Sequence, residues 1–127
     1  MASVSAKRVR SGFAGTITRS RANGGSKKAI SAVATFHLRD GRQGEQVENL
    51  KAVKRLVERG GGTFRVHRQI FGSQVNHLVV VSEYKDWNGL VKVRSDPEFS
   101  QLIERIRGSA NPAADLVGAD VYEELTI

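Results

Sequence analysis

The stretch that most constrains this chain is residues 75–90, V-N-H-L-V-V-V-S-E-Y-K-D-W-N-G-L. It begins as a β-branched run, turns polar at Glu83-Tyr84-Lys85, and enters a helical pattern near Asp86-Trp87. β-Branched side chains suit the pleated backbone of a strand. The stretch therefore predicts a strand over 75–84 that feeds directly into a helix. Every other element has to be compatible with this junction.

Upstream, residues 29–38 alternate cleanly. Ile30, Ala32, Ala34, Phe36 and Leu38 share one face, and Ser31, Val33, Thr35 and His37 share the other. Period-two alternation of this kind predicts a strand with one oily face. Asp40-Gly41 through Gly44 breaks it, and residues 45–59 then change period. Val47, Leu50, Val53, Leu56 and Val57 form a helical stripe, with Lys51, Lys54, Arg55 and Glu58 outside. Gly60-Gly61-Gly62 supplies the stop, because glycine accepts a left-handed backbone at a helix C-terminus.

A second strand is expected over residues 63–71, joined by a tight Gly72-Ser73 connection to the third strand. Residues 86–107 read as a helical region broken once at Ser95-Asp96-Pro97-Glu98. There Ser95 is expected to cap, Glu98 to complete a capping box, and Pro97 to occupy the first turn. Phe99, Leu102, Ile103 and Ile106 make the buried stripe. Residues 115–127 form the last strand, with Val117, Ala119 and Val121 on one face.

The order is βαββαβ. It predicts an α+β, ferredoxin-like domain over 29–127, with a four-stranded antiparallel sheet, two helices on one face, and the first and third strands central. The other sheet face needs water, a ligand or a second subunit.

At 127 residues the chain is one domain's worth, enough for one hydrophobic core. With no cysteine, disulfides, thiol chemistry and Cys-based zinc sites are excluded. No apolar run is long enough to span a membrane, and no apolar region follows the N-terminus. A cytoplasmic location is the default expectation.

The net charge of +7 is unevenly placed. Residues 1–28 carry seven of the 20 Lys and Arg side chains and no acid, which leaves 13 to balance the 13 acids of the body. The excess thus describes a basic N-terminal arm and is no argument for a nucleic-acid-binding fold. The arm reads as a flexible basic tail, an organelle presequence or an added strand over 13–19. Residues 12–21 loosely echo 115–124, with Phe13 on Leu116, Gly15 on Gly118, and Arg19 and Arg21 near Glu123 and Glu124. An added strand would cover a sheet edge and pair opposite charges.

Glu83-Tyr84-Lys85-Asp86-Trp87 and Ser95-Asp96-Pro97-Glu98-Phe99 resemble the dimeric α+β barrel superfamily, which includes antibiotic-biosynthesis-monooxygenase-like and NIPSNAP-like domains. The resemblance covers roughly residues 29–127. It implies a homodimer with two sheets packed face to face, and a small apolar ligand bound between sheet and helices. It also implies oxidation without a metal or flavin in some members, so no cofactor is expected. The rival with this topology, an RNA-recognition motif, needs stacking aromatics on the central strands. Those strands offer Ala32, Val33, Ala34, Val79, Val80 and Val81, so nucleic acid is not the expected partner.

The chemistry-bearing residues are sparse. His37, His67 and His77 all fall in strands. A hairpin centred on Ser73 would put His67 opposite Val79 and on one face with His77, Arg65 and Glu83, within approach of His37. A one-residue slip would separate them. His37 and His67 are the candidate general bases, since an imidazole titrates near neutrality. Arg65, His77, Tyr84 and Trp87 are the candidate ligand-binding groups. Trp87, beside the strand-to-helix turn, is either a core anchor or a pocket wall. No helical His pair and no evident orienting carboxylate argue for a metal, so none is expected. Two functional readings remain open. One is a small-molecule-binding homodimer, enzymatic or not. The other is an interaction protein whose arm meets an acidic partner.

Overall fold

The computed structural model describes residues 28–72 and 76–127. The expectations for the arm, its added strand and the Ser73 turn fall in 1–27 and 73–75, outside the described residues.

The element order is β1 (Ile30–Leu38), α1 (Gln43–Arg59), β2 (Thr63–Arg68), β3 (His77–Tyr84), α2 (Trp87–Arg94), α3 (Pro97–Arg107) and β4 (Ala114–Glu123). The sheet has four antiparallel strands in the order β2-β3-β1-β4, with β1 and β3 central. This is the ferredoxin-like α+β fold, and the second helical region is two helices, not one.

Alternation decides which residues meet the helices. From β1 these are Ile30, Ala32 and Leu38, and from β3 Leu78, Val80 and Tyr84, all buried. They join Leu50, Val53, Leu56 and Val57 of α1, Leu90 and Val93 of α2, and Phe99 and Leu102 of α3 in one core. Each fully buried Leu or Val contributes about 1.5–3 kcal/mol relative to exposure. Trp87 sits in the same core at the first turn of α2.

The breaks have local causes. Of the three glycines after α1, Gly61 takes φ +98, a conformation that costs other residues dearly. Gly62 is there for close approach: a Cβ would meet the Tyr84 ring and Val57 at 2.9 Å. The break between α2 and α3 is built differently from the expected capping box. Asp96, not Ser95, is the N-cap of α3, and its carboxylate accepts from the Glu98 N–H at 2.9 Å. Ser95 instead closes α2, donating its hydroxyl to the Val91 carbonyl at 2.8 Å. Pro97 occupies the first turn, where a missing N–H costs nothing. Arg59 at the end of α1 reaches Asp96 at 2.7 Å and Glu98 at 2.9 Å, tying two helix ends together.

One irregularity was not foreseen. β4 runs opposite β1 with Thr35 facing Gly118, but Phe36 faces Leu116, so Val117 is an extra residue at a β-bulge. Leu116 and Ala114 therefore share the helix face with Ala119 and Val121, and Asp115 comes to face His37. Among the described residues, no helix is long and apolar enough to cross a membrane.

Candidate functional site

The helix side of the sheet does not close completely. A cavity of about 580 Å³ lies between the sheet and helices α1 and α3. Its size falls within the range of about 300–1,000 Å³ typical of small-molecule sites. Phe36, Leu50, Phe64, Val80, Phe99 and Ile103 are among its apolar walls. β1 leaves room because its central inward residues are small or only half covered: Ala32, Ala34 and Phe36 all line the space. Leu116 and Val117, 44% and 55% exposed, mark a rim beside the bulged edge strand.

Polar groups line it as well, Asn49 and Ser100 among them. Tyr84 and Ser82 reach in from β3, and the Tyr84 hydroxyl donates to Ser82 Oγ at 3.1 Å, both residues being buried. Gln46, also buried, comes from the first turn of α1, where its Oε1 accepts from Asn49 Nδ2. Arg94, the last residue of α2, turns its guanidinium inward, with its central carbon 5.8 Å from the Phe99 ring centroid. That lies within cation–π range. The Arg94 Nε is shielded from solvent. Burial pulls the Arg94 pKa below the ordinary arginine value, and Tyr84 opposes the shift through charge and a hydrogen bond. Glu104, Arg107 and Asp120 also line the cavity but are exposed, at its margin.

The sheet's other face, which no helix of the described residues covers, carries most of the residues singled out from the sequence. His37 and His77 are directly paired across β1 and β3, with ring centroids 5.3 Å apart in an edge-to-face arrangement at 81°. His77 is buried and His37 exposed. His67 faces Val79 on the edge strand β2, so it shares this face and lies diagonally from His77. Arg65, on the same face, approaches Glu83 at 3.5 Å. Asp115 faces His37 from β4 and makes a two-pronged bond to Arg39, at 3.2 and 2.8 Å. Arg39 holds the Asp115 carboxyl below the usual carboxylate range, with His37 adding a smaller charge effect.

The predicted residues thus divide between two faces. Tyr84 lines the cavity. His37, His67, His77 and Arg65 lie across the sheet from it, because odd and even positions of a strand point to opposite sides. Trp87 is packed in the core and lines neither. Among the polar cavity residues that went unrecognised in the sequence are Ser82, Gln46 and Arg94. Ser82 had a readable signal, as the lone small polar residue in the inward series Leu78, Val80, Ser82, Tyr84. Arg94 had none, since a basic residue in the last helical turn ordinarily serves the helix dipole. Among the described residues no group of three His, Asp or Glu side chains is arranged to hold a metal ion.

Comparisons with known proteins agree on the fold. No family model and no curated protein matches the sequence. Solved structures do match. SnoaB from Streptomyces nogalater, a cofactor-independent oxygenase, superposes with a TM-score of 0.58 at 13% identity, covering 79% of this chain and 94% of SnoaB. A Bordetella bronchiseptica protein named as a candidate antibiotic biosynthesis monooxygenase gives 0.55 at 18% identity, over 79% of this chain and 98% of that one. A conserved Bacteroides thetaiotaomicron protein, described as a candidate oxidoreductase, gives 0.62 at 10% identity, over 77% and 99%. The chain therefore has the antibiotic-biosynthesis-monooxygenase-like α+β fold.

Proposed function

We propose that this chain is a small-molecule-binding protein that takes a largely apolar ligand into the cavity between its sheet and helices, and does so as a homodimer. The observation that carries the reading is the cavity itself, about 580 Å³ with apolar walls and a small polar end at Tyr84, Ser82 and Arg94. Convergent polar groups in an apolar hollow are the usual form of a ligand site. Monooxygenase-like chemistry without a tightly held cofactor is supported by the fold shared with SnoaB, a cofactor-independent oxygenase.

The second subunit is argued from the open sheet face. Val33, Val79 and Val81 form a half-buried apolar strip across its two central strands. Ile70 and Phe71, 84% and 94% exposed, follow the edge strand β2. A second copy packing sheet to sheet would bury that strip, along with exposed His37 beside the already buried His77. On this reading the histidines and Arg65 belong to the subunit interface, and the ligand contacts come from the helix side.

Native mass spectrometry of the purified chain tests both parts. The expected result is a dimer mass that retains a small molecule, or that takes up added apolar compounds one per subunit. A strictly monomeric mass with no uptake would overturn the reading.

A further inference from the structure

We propose that His37 and His77 form a two-histidine site for a divalent transition-metal ion of the zinc or copper class, on the sheet face away from the helices. Both ligands come from one chain. The site is therefore separate from the cavity and does not depend on the proposed dimer.

The argument begins with the burial of His77, which is 8% exposed. Its imidazole makes no hydrogen bond among the described residues, and its ring neighbour is His37. A polar group withdrawn from water without a hydrogen bond is costly, and a bound ion is one of the few things that satisfies it. His37 beside it is exposed, so the pair can be reached from solvent.

The second step is geometry. β1 and β3 set the two histidines directly opposite each other. Their ring centroids lie 5.3 Å apart, with the planes at 81°. A metal–nitrogen bond of about 2.0–2.1 Å puts the ion roughly 3.2 Å from a ring centre, so two imidazoles on one tetrahedral ion have centres about 5 Å apart. The separation of the pair fits that requirement. One ring must turn for both to aim a nitrogen at the same point. Rotation about the Cβ–Cγ bond does this, and that torsion is soft. Its axis passes close to the ring centre, so the separation is kept and the backbone need not move.

The third step concerns the surroundings. The β4 bulge places Asp115 opposite His37, on the side away from His77. Arg39 occupies two acceptor positions of Asp115, at 3.2 and 2.8 Å. A carboxylate has about four such positions, so Asp115 can still accept from one His37 N–H. That bond selects the tautomer whose other nitrogen faces the ion. The bulge thus supplies the orienting carboxylate that the sequence did not reveal. His67 lies diagonally on β2, where neighbours are about 7–8 Å apart, too far to share the ion. The chain therefore provides two ligands, consistent with the lack of a three-ligand group among the described residues. Imidazole nitrogen suits zinc and copper, whereas magnesium and calcium prefer oxygen.

The test is calorimetric titration of the full chain with Zn²⁺ at pH 7.5 in a weakly coordinating buffer, with Mg²⁺ as the control. The chain has three histidines and no cysteine, so each imidazole can also be followed by NMR of its ring. The expected result is one Zn²⁺ per chain, ring shifts at His37 and His77 but not at His67, and no uptake of Mg²⁺. D115N should weaken binding about 10-fold, as loss of an orienting group does, and alter the His37 tautomer seen in its ring nitrogen shifts. H37A and H77A should cost more than D115N, and H67A should bind as the wild type does.

Absence of Zn²⁺ uptake by the wild type, or Mg²⁺ bound as tightly as Zn²⁺, would overturn the site. So would an H37A variant with wild-type affinity. Equal losses in H67A and H37A would refute the pairing of His37 with His77. Unchanged affinity and tautomer in D115N would refute the role of Asp115. Should H77A fail to fold, H37A at its exposed position and the ring shifts still decide.

Discussion

Leu90 is 0% exposed in the heart of the core. Truncating such a side chain removes its transfer free energy and leaves a void. Leu90→Ala is expected to destabilise the chain by about 2–5 kcal/mol, read as a lower urea midpoint with an unchanged slope. Asp96 offers a different residue-scale test. Its carboxyl is held below the usual range chiefly by the Arg59 hydrogen bond, and next by the Glu98 backbone N–H. A depressed folded-state pKa contributes stability that is present above the ordinary carboxylate range and lost as pH falls through the folded value. Acid titration of the wild type should therefore show stability falling below that range. D96N keeps a capping side chain but lacks the charge, so its curve should be flatter in the same window. Equal curves for the two proteins would show that the Arg59 contact does not act on stability.

At the scale of elements, α2 is short and depends on its ends. It spans eight residues, less than an isolated helix needs to persist in water. Asp86 caps it by accepting from the Gly89 N–H at 3.0 Å. Asp86→Ala should cost about 1 kcal/mol by denaturant unfolding. Amide exchange should quicken first in residues 87–94. The same helix carries Arg94 at its last position, so loosening its start also loosens the polar end of the cavity. β4 contributes through its bulge. Continuing the Thr35–Gly118 register without it would put Val117 opposite Phe36 and Leu116 opposite His37. The extra residue instead places Asp115 beside His37 and Leu116 at the cavity rim. One inserted residue thereby changes what both faces present.

For the whole molecule, the decisive matter is that the sheet has one face covered by helices and another that is not. Parts of the open face are already apolar, with Val33, Val79 and Val81 on the central strands. A lysine there would carry a charge into the proposed sheet-to-sheet interface. Val81→Lys should therefore shift the chain from dimer to monomer in sedimentation velocity, with its circular dichroism unchanged. Since Val81 points away from the cavity, any ligand uptake that survives in the monomer would mark the cavity as complete within one subunit. A wild type that sediments as a monomer at every concentration would refute the proposed assembly.

The sequence was informative wherever the cause is local. Alternation in β1 grouped its inward residues correctly, because strand side chains change face every residue regardless of what lies across from them. The stripe of α1 was equally legible, apart from buried Gln46 one position before Val47. The β2–β3 register, with His67 opposite Val79, is one that the sequence left open, and a one-residue slip was equally compatible with it. The cap at α3 was misplaced by one residue, since Ser95 and Asp96 both suit a cap and the bond that chose between them is a matter of geometry. What the chain alone determined is therefore the βαββαβ order, the central strands and the grouping of residues on the faces of β1; in β4 the bulge replaced Val117 with Leu116 on the helix face. Only the tertiary structure decided the rest. The β1–β4 bulge, the hollow left between sheet and helices, and the inward turn of Arg94 all depend on how residues far apart in sequence pack. The histidines show the same division most plainly. The sequence placed them in strands, but which face of the sheet receives the helices, and so which residues see the cavity, is settled by where the core closes.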